Sequence, residues 1–425
     1  MKSKLVTTLM AFGTVMALGS AALAQGVNLR IMCGTVGTQF ELCKKVTGDW
    51  AQKTGNRVEV IQAVPSSNDR LASYQQQLAA GSSDIDIYQI ENIWPSLLGD
   101  FFVDMKDHVP ATALRDFFPT MIENHTVNNR LIALPWYGDA GLLYFRTDLL
   151  EKYGFKAPPK TWAELEAQAK VIQEGERRSN PNFWGYVWQG NAYEGLTCNA
   201  LEWIVSFGGG TIIDTRGNIT VNNPQAAAAL RMAAGWVGTI SPRGVTSYRE
   251  EDSRGVWQAG NAAFMRNWPY AYALGNSADS PIRGKFDVTV LPRGTGPNAK
   301  SASTFGGHSL AVNRFSKNVK AAADLAVYMA SYEVQAFRAT MGFNPTRPAV
   351  YKDAAVLRAA PFVGKMDDVM NSATVRPTTI TGTKYPRVSE AFWNASHSVL
   401  TGRSTAGAAL AQLQSTLNRI KGNGW

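Results

Sequence analysis

The chain has 425 residues, 45% of them hydrophobic and 18% charged, and 42 lysines and arginines against 33 aspartates and glutamates leave a net charge of +9. That length exceeds what one hydrophobic core usually supports, so two lobes are expected. The basic excess does not point to a nucleic-acid partner, because lysines and arginines are scattered and run no longer than the pairs Lys44-Lys45 and Arg177-Arg178.

Residues 1–24 read as a secretory signal peptide: Lys2 and Lys4, an apolar run over 5–18, and the small-residue pattern Ala22-Leu23-Ala24. Cleavage is expected before Gln25. The first cysteine, Cys33, lies too deep in the mature chain for a lipid anchor, so the expected location is the periplasm. No later run approaches the roughly 18 apolar residues that a membrane helix needs.

From residue 27 the pattern is strand, helix, strand, helix, strand. Segment 27–33 is short and apolar, 39–54 has helical spacing up to Gly55, and 57–63 alternates. A helix over 68–80 stops at Gly81, and 85–90 follows as a buried strand. Such a βαβαβ unit predicts a parallel sheet with helices on both faces, whose ligands bind beyond the carboxyl ends of the strands. Those ends carry 34–39, 64–69 and 89–94. Cys33 and Cys43 bracket a strand end and the following helix in an exported chain, and are either bridged or two buried thiols. Cys198 is left over as a small apolar core residue.

The passage Leu134-Pro135-Trp136-Tyr137-Gly138-Asp139, punctuated by proline and glycine, closes the first lobe. Beyond it, helices are expected at 161–174, 193–207, 224–238, 249–258, 317–341 and 385–420, and strands at 286–291 and 309–313. Thr161 and Glu164 have the spacing of a capping box.

Enzyme signatures come close and fail. Gly307-His308-Ser309-Leu310-Ala311 ends in alanine where a nucleophile elbow needs glycine, and 294–301 has Ala299 where a phosphate loop needs glycine before Lys300. His108, His125, His308 and His397 lack metal-ligand spacing. No enzyme, cofactor or metal is therefore expected. Two rivals remain: a periplasmic glycosidase, for which Glu91 and Asp139 could serve as facing carboxylates, and a scaffold protein.

Three aromatic clusters stand beside prolines, glycines and planar polar groups: Asn92-Ile93-Trp94-Pro95, Pro135-Trp136-Tyr137-Gly138-Asp139 and Asn267-Trp268-Pro269-Tyr270. Sugars stack their C–H faces on aromatic rings and pair vicinal hydroxyls with carboxylates, amides and guanidinium groups. One such cluster alone suits core packing. Three, in segments expected to be loops or element ends, point to an aromatic cleft.

At these residues the chain resembles the bacterial extracellular solute-binding proteins for maltose and trehalose, over nearly the whole mature length. The likeness is dense from Ala133 through Tyr144, in Asn180-Pro181-Asn182-Phe183-Trp184-Gly185-Tyr186-Val187-Trp188-Gln189-Gly190, in Gln258-Ala259-Gly260-Asn261-Ala262-Ala263-Phe264-Met265-Arg266-Asn267-Trp268-Pro269-Tyr270, and in Gly342-Phe343-Asn344-Pro345-Thr346-Arg347. The resemblance implies the α/β periplasmic-binding-protein fold of type II, two α/β lobes joined by a multi-crossover hinge. The first lobe, 27–135 plus 308–347, would offer hydrogen-bonding groups, and the second, 136–307 plus 348–425, aromatic platforms. It further implies a monomer that binds a disaccharide or α-glucoside of the trehalose, maltose or sucrose type in the interlobe cleft, and that hands it to the transmembrane subunits of an ABC permease.

Carried over position by position, the resemblance implies ligand contacts at Tyr137, Asp139, Trp268, Tyr270, Gly306, Gly307 and Arg376. Four positions depart from that branch. Gln39 replaces an acidic residue, Asp69 stands where an arginine is expected with Arg70 beside it, Glu91 replaces an aspartate, and His308 replaces a tryptophan. These departures keep a sugar or glycoside as the ligand and open an alternative, a substituted glycoside or polyol phosphate that Arg70, His308 and Arg376 would receive.

Overall fold

The computed structural model describes residues 26–425 apart from 36, 297, 367–368 and 371–372, so the signal peptide expected at 1–24 lies outside the described residues. β1 (Asn28–Met32), β2 (Arg57–Ile61) and β3 (Ile87–Glu91) alternate with the helices Gly37–Thr54 and Ser67–Ala79 and pair in parallel in the order β2-β1-β3. The expected βαβαβ unit is thus present. The second helix starts where the Ser66 hydroxyl accepts the Asp69 N–H at 3.4 Å.

After a small hairpin of β4 (Thr126–Val127) and β5 (Arg130–Leu131) comes β6 (Leu134–Ala140), a strand where an irregular passage was expected. Pro135 is accommodated because the pairing register shifts opposite it. β7 (Leu142–Arg146), β8 (Trp184–Val187), β9 (Ala262–Asn267) and β10 (Phe286–Thr289) form a second sheet in the order β10-β7-β9-β8. β11 (Phe305–Val312) then returns between β3 and β6, completing a five-stranded first sheet, β2-β1-β3-β11-β6. Both β6 and β11 lie wholly in that sheet, past the positions 135 and 308 at which the sequence was divided.

Two expected helices are each split by a hydroxyl cap. The segment 317–341 becomes Val319–Met329 and Tyr332–Thr340, parted where Ser331 accepts the Val334 N–H. The tail becomes Tyr385–Leu400 and Ala406–Lys421, parted before Thr405, which accepts the Ala408 N–H. The expected capping box at Thr161 and Glu164 opens the helix Trp162–Glu176.

Each sheet has its own core. Ile31, Ile87, Leu310 and Val312 pack with the helix Val319–Met329, whereas Tyr186, Trp203, Trp236 and Phe264 pack with the two tail helices through Phe392 and Leu413. The chain passes from the first sheet to the second at Gly141 and back near Thr304. These crossings are fastened side by side by Ser303 Oγ, which donates to the Gly141 carbonyl at 2.7 Å, and the return crossing is tied in turn to a third segment, where the Phe305 N–H donates to the Thr374 carbonyl at 2.8 Å. Cys33 and Cys43 form a disulfide with Cα atoms 6.2 Å apart, tying the end of β1 to the following helix, while Cys198 is free and buried. No described helix is long and apolar enough to cross a membrane.

Candidate ligand-binding site

Between the sheets, beyond the carboxyl ends of β1, β2 and β3, lies a cavity of about 320 Å³. Of the twelve residues singled out from sequence it is lined by eleven: Gln39, Arg70, Glu91, Tyr137, Asp139, Trp268, Tyr270, Gly306, Gly307, His308 and Arg376. Asp69 does not line it. That side chain is exposed in the first turn of the helix Ser67–Ala79, and one residue later, a hundred degrees round the helix, Arg70 turns inward and is 2% exposed.

On the first wall, Arg70 Nη2 donates to Glu91 Oε1 at 2.5 Å and Nη1 donates to the Val64 carbonyl at 2.8 Å. The same Nη2 is 3.0 Å from His308 Nε2. A guanidinium only donates, so Nε2 accepts and the His308 proton sits on Nδ1, which is buried with no protein partner among the described residues. Burial, and then the charges of Arg70, Arg338 and Arg376, hold this imidazole well below its ordinary pKa, so it is neutral. Tyr137 lies 5.0 Å from the His308 ring and accepts a hydrogen bond from Gln89 Nε2 at 3.2 Å. Gln39 Oε1 accepts from Thr35 Oγ1 at 2.5 Å.

Asp139 differs from the other carboxylates of the cavity, because no described protein group is hydrogen-bonded to its side chain. Burial pushes its pKa up to about 7 against the opposing fields of Arg338 and Arg266, and Glu91 adds to the rise. Gly307 has φ +112°, and a Cβ there would stand 2.2 Å from the Tyr137 carbonyl, so only glycine lets β11 lie this close to β6. Asn92 Nδ2 fixes the neighbouring Gly306 carbonyl at 2.8 Å.

The second wall carries the half-buried Trp268, whose Nε1 donates to Glu250 Oε1 at 3.4 Å. Tyr193 donates to Glu250 Oε2 at 2.6 Å, and Tyr270 donates to Glu251 Oε1 at 2.5 Å. Arg376 Nη1 donates to Glu194 Oε1 at 2.8 Å, and Nη2 donates to the Phe305 carbonyl at 3.1 Å. The Glu194 N–H reaches Asn68 Oδ1 of the opposite lobe, just outside the cavity, at 3.4 Å. This wall is thus as carboxylate-rich as it is aromatic. Trp94 and Trp136, expected to face the cleft, are core residues, 1% and 2% exposed.

A family model described as bacterial extracellular solute-binding protein matches residues 40–336. The chain belongs to that family. A probable ABC transporter-binding protein of Deinococcus radiodurans is 53% identical over 414 residues, covering 97% of this chain and 98% of that one. Maltose-bound MalE3 of Thermotoga maritima superposes with a TM-score of 0.87 at 39% identity, over 93% of this chain and all of that one. A Thermotoga lettingae solute-binding protein bound with α-D-tagatose superposes with a TM-score of 0.82, over 93% of this chain and 99% of that one, and at 24% identity it speaks for the fold alone. The fold of this solute-binding protein is accordingly the type II arrangement of two α/β lobes, and its family is that of receptors serving ABC transporters.

Several residues lining this solute-binding protein's cavity were not singled out from the sequence: Thr35 and Ser66, which fall within the expected strand-end segments 34–39 and 64–69, and Tyr193, Glu194, Glu250 and Glu251. A legible signal existed for the last two, since Arg249-Glu250-Glu251-Asp252 puts four charges on the opening turn of one helix. Glu194 carried none. It opens a helix whose every residue is buried, Glu194–Ser206, and its oxygens are held by Arg376, Tyr385 and Ser389.

Proposed function

We propose that this protein is the periplasmic, monomeric substrate-binding receptor of a bacterial ABC sugar importer, without catalytic chemistry, and that it binds a disaccharide or α-glucoside of the trehalose, maltose or sucrose type between its lobes before presenting it to the permease subunits. The observation that carries this reading is one cavity with two unlike walls: an indole and two phenols on one side, and an unpartnered carboxylate, Asp139, with polar groups on the other. About 320 Å³ lies at the lower end of the range of ligand pockets and suits one or two sugar rings. The proposed division is first lobe 27–135 plus 308–347 and second lobe the rest, with the strands β6 and β11 extending the first. Gln39, Arg70, Glu91, Tyr137, Asp139, Trp268, Tyr270, Gly306, Gly307, His308 and Arg376 are the proposed contacts.

An anionic glycoside or polyol phosphate finds less support. Arg70 is engaged by Glu91 and Arg376 by Glu194, while His308 is neutral, so the groups expected to receive a phosphate are already compensated. Glu250, Glu251 and Asp252 line the same space and would oppose an anion there. A glycosidase is disfavoured for a related reason: Glu91, one of its two required carboxyls, is tied to Arg70 at 2.5 Å.

The test is calorimetric titration of maltose, trehalose and sucrose into the wild type and into Trp268→Ala. The variant should bind at least about tenfold more weakly, with the melting temperature of the ligand-free protein within about 3 °C of wild type. Equal affinity would remove Trp268 from the site, and a collapsed melting temperature would return it to the core. Sugar recovered intact after overnight incubation excludes the glycosidase.

A further inference from the structure

Behind the second wall, outside the cavity, Arg266 of β9 and Glu202 of the helix Glu194–Ser206 form an ion pair in which each side chain is 1% exposed. The contact is bidentate, with Nε to Oε2 at 2.9 Å and Nη2 to Oε1 at 2.5 Å. Such a pair is held rigidly, since neither partner can move without leaving a buried charge uncompensated. What each partner touches on its far side gives the pair a role. The Arg266 guanidinium carbon lies 3.9 Å from the centre of the Trp268 ring, so it forms the bed on which that indole rests. Glu202 Oε1 also accepts the Thr304 N–H at 3.0 Å, on the return crossing between the sheets. The outgoing crossing touches the same atoms: a Cβ at Gly141 would stand 2.1 Å from Glu202 Oε1 and 2.6 Å from Arg266 Nη2. One buried pair therefore contacts the ring of the proposed site and both segments that join the sheets.

We propose that Arg266 and Glu202 are positioning residues that register the Trp268 ring against the interlobe crossings, so that the seating of the ring on a sugar and the angle at which the lobes meet are set together. The inference rests on Trp268 being a ligand platform. Rigid linkage makes it a coupling claim: disturbing Glu202, which touches no ligand, weakens binding through Trp268 and not independently of it.

The experiment is a double-mutant cycle on the intact mature protein, with Glu202→Gln, Trp268→Leu and their combination titrated against the tightest binder among maltose, trehalose and sucrose. Glu202→Gln should weaken binding at least about tenfold in the wild-type background and less than about threefold where Trp268 is already leucine. Equal losses in both backgrounds, or a lowered melting temperature with unchanged affinity, overturn the inference. Should Glu202→Gln fail to fold, Arg266→Lys keeps a charge opposite Glu202 but cannot lie flat under the indole. It should lower affinity about tenfold in the wild-type background and leave Trp268→Leu unaffected, and additive losses there likewise overturn the claim. If the wild type binds none of the three sugars, the reading of the site falls and this inference with it. Binding with an additive cycle sinks the inference alone.

Discussion

Asp139 sets two requirements against each other. Its carboxyl keeps a proton in the folded protein up to about pH 7, whereas in the unfolded chain it ionises near 4. Between those values the unfolded state binds fewer protons, so stability falls as pH rises from about 4 to about 7 and is level above. Vicinal hydroxyls bind best to the ionised form, so sugar affinity should rise over the same window, steepest near pH 7. Asp139→Asn removes the charge while keeping the shape. At pH 8 it should raise the ligand-free melting temperature by a few degrees, lower affinity at least about tenfold, and abolish the pH dependence of binding between 6 and 8. A variant that binds as wild type does at both pH values would show that the carboxylate is not a contact. Adjacent residues explain why such sites are only half legible beforehand. Trp136 and Tyr137 follow one another on β6 and share the core of the first sheet, with the Arg338 guanidinium against both rings, yet only Tyr137 also lines the cavity. Composition marked both, and only the folded arrangement separates them. Asp69 and Arg70 repeat the lesson on a helix, where one step of rotation exchanges solvent for the cavity.

Elements were legible where their two faces differ. β1, β2 and the helices Gly37–Thr54 and Ser67–Ala79 each have an exposed side, so periodicity shows in their sequences. β6, β7 and β9 are buried at every position, which erases the alternation, and Pro135 and Gly138 further disguise the first of them. The Cys33–Cys43 disulfide belongs to this scale, because it staples β1 to the helix that follows and so frames the short turn that brings Thr35 and Gln39 to the cavity edge. Closing a loop with a sequence separation of 10 stabilises by about 2–3 kcal/mol on the chain-entropy model. Replacing both cysteines by serine should lower unfolding stability by that amount in a urea titration. Sugar affinity should drop by less than about tenfold, since one edge of the site loosens while its remaining contacts stay in place.

At the scale of the whole molecule, the cavity exists only because two separately cored sheets face each other, and the Glu194 N–H to Asn68 Oδ1 hydrogen bond joins the two lobes directly beside it. Asn68 does not line the cavity. A contact made between lobes, and not with the ligand, contributes only to the equilibrium between apart and together, so its loss taxes every ligand alike. Asn68→Ala should therefore weaken binding by about two- to fivefold, the worth of one partly buried hydrogen bond of about 0.5–1 kcal/mol. The factor should be the same for each sugar the wild type binds, whereas replacing a contact such as Trp268 should change the ranking among sugars. Small-angle scattering gives the companion measurement. The radius of gyration should fall when sugar is added to either protein and reach the same closed value at saturation, with the variant needing proportionally more sugar to arrive there. A scattering profile that sugar leaves unchanged would mean that the lobes do not close on the ligand, and a weakening that differs from sugar to sugar would place Asn68 in the site itself.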